Sequence, residues 1–185
     1  MSKKLIEQLE NSPVISAIRE DRFSEAVTSP SEVIFLLGCN VLTVQGLIET
    51  AHKNGKMILV HIDLADGIGK DKAGVQYLTK CGVDGIISTR SHLIRAAKEL
   101  GLITVQRFFA LDSQGVDSID EVLNSSAPTL VEIMPGTVSK VIKRFSGGKI
   151  PVIAGGLIET KQEVMDALSN GALAVSTGKK DLWYI

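Results

Sequence analysis

Two short segments near the C-terminal end carry residue types suited to binding a phosphate monoester. PVIAGGLI, at residues 151–158, and LAVSTG, at residues 173–178, are apolar strand-like runs that end in small residues. Glycines and helix N-termini leave backbone N–H groups open to an anion because no Cβ atom stands in the way. The alternative, that these glycines only form tight turns, explains one such segment more easily than two in succession. The predicted phosphate ligands are Gly155, Gly156, Ser176, Thr177 and Gly178.

A third apolar segment continues into HIDLADGIGKD, at residues 61–71. Because strand side chains alternate, His61 and Asp63 share one face, and Asp66 follows in the loop. Such a group suits a divalent metal or an acid/base pair. The alternative is that the aspartates cap the loop while His61 packs in the core, and the residues favour neither. The string resembles the HxDxxDG motif of ribulose-phosphate epimerases, but GIIST, which follows, lacks their next histidine, and Ala154 replaces their second aspartate.

Charged side chains are expected at the ends of further strands. Arg19 and Arg107 would attract an anionic ligand, and Glu132 would accept hydrogen bonds from its hydroxyl groups. No strand-like segment contains the desolvated lysine that a Schiff-base aldolase needs. We therefore assign no catalytic residue, metal or cofactor, and a phosphosugar isomerase, epimerase or lyase stays the alternative. The residues predicted to bind the body of a small phosphorylated polyol are Arg19, Asp63, Asp66, Arg107 and Glu132.

The elements that position these residues alternate along the whole chain. Eight short apolar segments, which are not polar at every second position, predict strands covered on both faces, as in a parallel sheet. The helical segments between them mostly end in glycine. The pattern predicts an α/β fold, a compact (β/α)8 TIM-type barrel that forms a single domain over residues 1–185, with its site at the C-terminal strand ends. An open doubly wound sheet is disfavoured because no GxGxxG follows the first strand.

Composition further limits the partners and the cellular location expected for this protein. The formal net charge of −1 gives no argument for a nucleic-acid partner, so such a partner would need a local basic patch. The two cysteines, Cys39 and Cys81, are too few for a disulfide framework and are interpreted as packing residues. No segment resembles a signal peptide or a membrane span, so we expect a cytoplasmic protein without a membrane partner.

Two basic groups are candidates for such a patch. Lys140, Lys143 and Arg144 lie at i, i+3 and i+4 and so share one helix face. Lys179 and Lys180 stand beside the aromatic pair at residues 183–184. The alternative for the first group is an ordinary solvated helix face. These five residues are the candidates for contacts with RNA phosphates.

The ordered set of strings resembles the glycerol-3-phosphate-responsive antiterminators, also called glycerol uptake operon antiterminator regulatory proteins. The likeness runs from SPVISAI through HIDLADGIGKD, ISTR with VQRFF, and VEIMPG to IAGGLI and AVSTG. It implies a barrel without catalysis that binds glycerol 3-phosphate and the leader mRNA of a glycerol catabolic operon, preventing premature termination. The glycine segments would then hold the phosphate, and the loop at residues 65–71 is the candidate for ordering on binding. A homo-oligomer is left open.

Overall fold

The computed structural model describes residues 2–185 and shows one closed barrel of eight parallel strands. The strands follow chain order around the ring, and the last pairs with the first. This confirms the predicted (β/α)8 fold. The strands are β1 (Val14–Arg19), β2 (Val33–Gly38), β3 (Met57–His61), β4 (Gly85–Ser88), β5 (Ile103–Phe109), β6 (Leu130–Met134), β7 (Val152–Gly155) and β8 (Ala174–Thr177).

Both faces of each strand are covered, which explains the continuous apolar runs in the sequence. All five residues of β3 are buried, for example, because alternate side chains enter the barrel interior or face the outer helices. Strand β3 ends after His61 because a 3-10 turn follows at Ile62–Leu64, within the string HIDLADGIGKD. This turn directs the following residues out of the barrel wall and into the loop.

The helices alternate with the strands, and glycines with positive φ follow several of them, as predicted. A 3-10 helix at Lys180–Tyr184 takes the place of an α-helix after β8. No helix within residues 2–185 combines the length and apolarity needed to cross a membrane. The α-helices are α1 (Ser2–Asn11), α2 (Phe23–Thr28), α3 (Val44–Lys53), α4 (Lys72–Lys80), α5 (Ser91–Glu99), α6 (Ser113–Ser126), α7 (Ser139–Ser146) and α8 (Lys161–Ser169).

Helix α1 precedes the barrel and was not among the predicted elements. Its Leu5 and Leu9 are buried in one apolar cluster with inward-facing residues such as Val33 and Met57, the first residues of their strands. The helix therefore closes the N-terminal end of the barrel interior.

The two thiols pack in the outer core, between strands and helices. Cys39 and Cys81 are both buried, and neither forms a disulfide. Burial raises the pKa of the Cys39 thiol to about 11, so this thiol stays protonated and unreactive at neutral pH. Their positions agree with the interpretation as packing residues.

Candidate functional site

A layer of polar side chains lies inside the barrel, just below its C-terminal end. Each of these residues follows an inward-facing apolar residue of its strand by two positions, so alternation turns it inward as well. The apolar residues below them are Leu59, Val105, Leu130 and Ala174. The polar residues of the layer are His61, Arg107, Glu132 and Ser176.

Glu132 is the centre of this layer. Its side chain is fully buried, and Arg107, only 7% exposed, donates from Nε to one carboxylate oxygen at 2.6 Å. Ser176 donates from Oγ to the other oxygen at 2.5 Å. A Cβ atom on Gly155 would overlap the Glu132 carboxylate and come within 2.7 Å of Ser176 Oγ. The glycine that ends β7 therefore makes room for this network.

A cavity of about 470 Å³ lies directly above the network. It brings together four of the five predicted phosphate ligands and two of the five predicted polyol ligands. Gly155, the remaining phosphate ligand, lies at the end of β7 beside the carboxylate rather than in the cavity wall. The predicted residues that line the cavity are Arg107, Glu132, Gly156, Ser176, Thr177 and Gly178.

The loops after β7 and β8 form one edge of this cavity. Gly156 and Leu157 are both left-handed, with φ of 71° and 58°. Within residues 2–185, the N–H groups of Gly156, Leu157, Ile158 and Gly178 donate to no backbone carbonyl. The Thr177 hydroxyl donates to Ile158 O at 2.8 Å and so ties the two loops together. This edge consequently offers several backbone donors to an anion.

Helix α8 does not supply these donors, contrary to the expectation that a helix N-terminus helps. A capping box closes its first turn: Thr160 Oγ1 accepts from Glu163 N at 3.2 Å. Glu163 in turn accepts from the N–H groups of Glu159 and Thr160, at 2.8 and 2.9 Å. These bonds lower the pKa of Glu163 below its usual range. The first-turn N–H of Glu163 is therefore already satisfied within the chain.

We expect Thr160→Ala to lower the free energy of unfolding by about 1 kcal/mol, because it removes one half of the capping box. Urea denaturation measures the change. Thr28→Ala is the matched control, since the Thr28 hydroxyl bonds only to carbonyl groups of its own helix. Equal stability of the two variants would show that the capping box does not hold the start of α8.

Arg22 is a cation at this cavity that the sequence analysis missed. Its Nη1 donates to Gly178 O at 2.6 Å, and its Nη2 lies 2.8 Å from Glu25. The guanidinium also lies 5.2 Å from the centre of the Trp183 ring. Lys179, predicted as an RNA contact, lines the same cavity, with Nζ 3.4 Å from Glu159. Two paired cations therefore stand at the edge that carries the backbone donors.

Three of the residues predicted to bind the polyol lie outside the cavity above Glu132. Arg19, Asp63 and Asp66 line a neighbouring cavity of about 400 Å³. Asp63 accepts from Ser88 Oγ at 2.9 Å and from Thr89 N at 2.8 Å, so it holds the start of the loop after β4. The structure does not bring these three side chains to the cavity above Glu132.

The loop at residues 65–71, predicted to order on binding, is attached to the loop after β2 in this structure. Asp66 N donates to Cys39 O at 2.8 Å, and Val41 N donates to Asp66 O at 2.9 Å. Lys70 Nζ donates to Ala65 O within the loop itself. The segment is therefore bonded both internally and to its neighbour.

His61 is buried beside Arg107 in the polar layer. The ring Nδ1 of His61 has no hydrogen-bond partner within residues 2–185, and His61 is only 4% exposed. Burial, followed by the nearby Arg107 charge, lowers the pKa of His61 to about 4, so the ring is neutral at pH 7. In residues 2–185 no three His, Cys, Asp or Glu side chains are grouped closely enough to hold a metal ion.

The remaining basic candidates lie on the outside of the barrel. Lys140, Lys143 and Arg144 are exposed on α7, but Arg144 pairs with Asp117 at 2.7 Å and Asp120 at 3.4 Å on α6. Lys180 is exposed after β8. Trp183 is buried and donates to Thr177 O at 2.9 Å, so it cannot stack on a base. Acidic neighbours therefore offset part of the charge on α7.

The fold and site together define a (β/α)8 barrel with a polar cavity at its C-terminal end and no lysine in any of its eight strands. Comparison with protein families identifies the chain more narrowly. It belongs to the glycerol-3-phosphate responsive antiterminator family, whose sequence model matches residues 14–183. This family is regulatory, which supports the prediction that the chain is a transcription regulator and not an enzyme.

Similar proteins cover nearly the whole chain. The uncharacterized protein YgcP of Escherichia coli (strain K12) is 30% identical over 97% of this chain and 95% of its own. The glycerol uptake operon antiterminator regulatory protein from Listeria monocytogenes is 32% identical, with a TM-score of 0.88 over 94% of this chain and 95% of that one. A glycerol uptake operon antiterminator-related protein from Thermotoga maritima is also 32% identical, with a TM-score of 0.84 over 93% and 98%.

Proposed function

We propose that the chain binds glycerol 3-phosphate in the cavity above Glu132 and, in response, binds the leader mRNA of a glycerol catabolic operon and prevents premature termination. The observation that carries the proposal is the asymmetry of this cavity. One edge offers backbone donors beside Arg22 and Lys179, and the floor offers the Arg107–Glu132 pair. A phosphate monoester with a hydroxylated body is complementary to this cavity: its phosphate suits the backbone donors and cations, and its hydroxyl groups suit the Arg107–Glu132 pair.

The phosphate would lie at the edge formed by Gly156 and Gly178. Charge-assisted hydrogen bonds from backbone N–H groups and cations are the strong ones available to a dianion. The hydroxyl groups would then face Glu132 and Arg107. The phosphate would then lie after β7 and β8, where (β/α)8 barrels commonly bind it, which supports this arrangement.

Under this proposal, binding of glycerol 3-phosphate must also change the affinity of the protein for RNA. A ligand shifts a conformational equilibrium only when it binds one state better than another. Lys179 is the residue best placed to connect the two events, because it lines the cavity and is followed directly by the exposed Lys180. We propose that the protein acts in the cytoplasm, where leader mRNA is made.

Calorimetry with glycerol 3-phosphate, followed by an RNA gel shift with and without that ligand, tests this function. We expect glycerol 3-phosphate to bind, glycerol alone to bind far more weakly, and the shift of the leader RNA to depend on the phosphorylated ligand. Chemical analysis of the ligand after incubation tests the enzymatic alternative. Ligand-independent RNA binding, or conversion of the ligand to a product, would contradict the proposal.

Reversing two charges on α7 tests the RNA surface. We expect Lys140→Glu with Lys143→Glu to weaken leader RNA binding and to reduce its salt slope by about 0.7 for each RNA phosphate that the variant no longer neutralises. Arg144 is left intact because it holds α6 to α7. Gel shifts over a series of salt concentrations measure the slope.

The matched control is Lys53→Glu with Lys80→Glu, which reverses two exposed lysines at the ends of α3 and α4. An equal loss of RNA affinity in both double variants would mean that α7 is not the contact surface. Lys179 and Lys180 would then be the next residues to reverse.

A further inference from the structure

We infer that the buried Arg107–Glu132 pair makes the cavity selective for phosphate monoesters with an uncharged, hydroxylated body, and that Glu132 excludes those that carry a carboxylate. The inference rests on the proposed function, since it assigns specificity to the same cavity. The floor of the cavity would thus reject related metabolites as well as contact the ligand.

Arg107 and Glu132 use their hydrogen-bonding groups to different extents. Both oxygens of Glu132 already accept a hydrogen bond, one from Arg107 Nε and one from Ser176 Oγ. Arg107 uses Nε for this bond, and within residues 2–185 its terminal nitrogens donate to no protein acceptor. The guanidinium therefore retains donors for a ligand, while the formal charges of the pair cancel.

A ligand hydroxyl group and a ligand carboxylate interact differently with the Arg107–Glu132 pair at the floor of the cavity. A hydroxyl oxygen accepts from a terminal nitrogen of Arg107, and its proton is free to bond the remaining lone pairs of Glu132. An ionised carboxylate only accepts, so it gains the Arg107 bond but meets a second carboxylate without a proton to share. Burial strengthens this repulsion because solvent screens it poorly.

The other charges around the cavity do not compensate for Glu132. Arg22 and Lys179 stand at the phosphate edge and are paired with Glu25 and Glu159. His61, the remaining titratable neighbour in the polar layer, is neutral at pH 7. The charge that a second anionic group meets at the floor is therefore set by Arg107 and Glu132.

Glycerol 3-phosphate and 3-phosphoglycerate are a matched pair of probes, since they differ only in the hydroxymethyl or carboxylate group at the end opposite the phosphate. We expect the wild-type chain to bind glycerol 3-phosphate at least ten times more tightly than 3-phosphoglycerate. We expect Glu132→Gln to reduce this ratio at least tenfold, because Arg107 then lacks its counter-charge. Calorimetry at pH 7.5 with both ligands measures the ratio.

Glu99→Gln is the matched control, because Glu99 is exposed and pairs only with Lys72, outside the cavity. Its ratio should equal that of the wild type. Equal wild-type affinities for the two ligands would overturn the inference, whether or not Glu132→Gln folds. A folded Glu132→Gln variant that keeps the wild-type ratio would overturn it as well. Absence of glycerol 3-phosphate binding to the wild type would instead refute the proposed function itself.

Discussion

Replacing Arg107 with methionine is expected to lower the free energy of unfolding by about 3–5 kcal/mol, because the Glu132 carboxylate is then buried without a counter-charge. Glu132 is fully buried, and Arg107 is the cation that contacts it. Methionine replaces the apolar stem of the arginine side chain but removes the guanidinium with its charge and donors. Urea denaturation followed by circular dichroism measures the loss.

The double variant Arg107→Met with Glu132→Gln distinguishes charge from packing. It removes both charges, so it should recover a large part of the stability that Arg107→Met loses. Recovery is expected to be incomplete because Ser176 keeps a neutral partner while the amide nitrogen of glutamine gains none. A single Arg107→Met variant as stable as the wild type would show that the carboxylate is not held by this pair.

Replacing Arg22 with alanine is expected to weaken glycerol 3-phosphate binding about tenfold to 100-fold, the usual effect of losing a hydrogen bond to a charged group. Arg22 stands at the cavity edge, where Nη1 bonds Gly178 O. Its pair with Glu25 is half-exposed, so solvent screening keeps the contribution of this pair to stability small. Calorimetry gives the affinity, and circular dichroism confirms that the variant is folded.

Arg95→Ala is the control for a general loss of positive charge, since Arg95 is an exposed arginine on α5, away from this cavity. It should bind glycerol 3-phosphate as the wild type does. Wild-type affinity in Arg22→Ala would remove Arg22 from the phosphate site and leave the backbone donors and Lys179 to hold the anion.

The barrel was predictable because its strands obey one simple rule. Strands buried on both faces must be apolar at nearly every position, and the eight such segments stand out from the helices between them. Helix α1 was missed although a signal exists: Leu5 and Leu9 are four residues apart, and Ile6 is the only other apolar residue within Ser2–Asn11. The signal is weak because the helix is only ten residues long and no strand precedes it.

The site was predictable only in part. The residues next to a strand in the sequence do not show which other strands lie near it around the barrel. Arg107, Glu132 and the β7 and β8 loops share a cavity because β5 to β8 are neighbours. Asp63 follows β3, across the ring from β7, and so lines another cavity. Arg19 is the last residue of β1, which lies beside β8, but its guanidinium lies over Gly38.

Arg22 could not be found from the sequence because its partner is so distant along the chain. It lies in the 3-10 turn after β1, whereas Gly178 follows β8, and only closure of the barrel brings them together. No motif surrounds it in the sequence. Gly155, predicted as a phosphate ligand, ends β7 beside β6 and leaves space there for the Glu132 carboxylate.

The cation–ring contact between Arg22 and Trp183 gives this protein an intrinsic optical probe. Trp183 is the single tryptophan of the chain, so its fluorescence comes from one place without labelling. Because the guanidinium that lies against the indole also faces the cavity, any occupant that draws this group away alters the surroundings of the fluorophore. Emission spectra therefore monitor events at the mouth of the barrel in the unmodified chain.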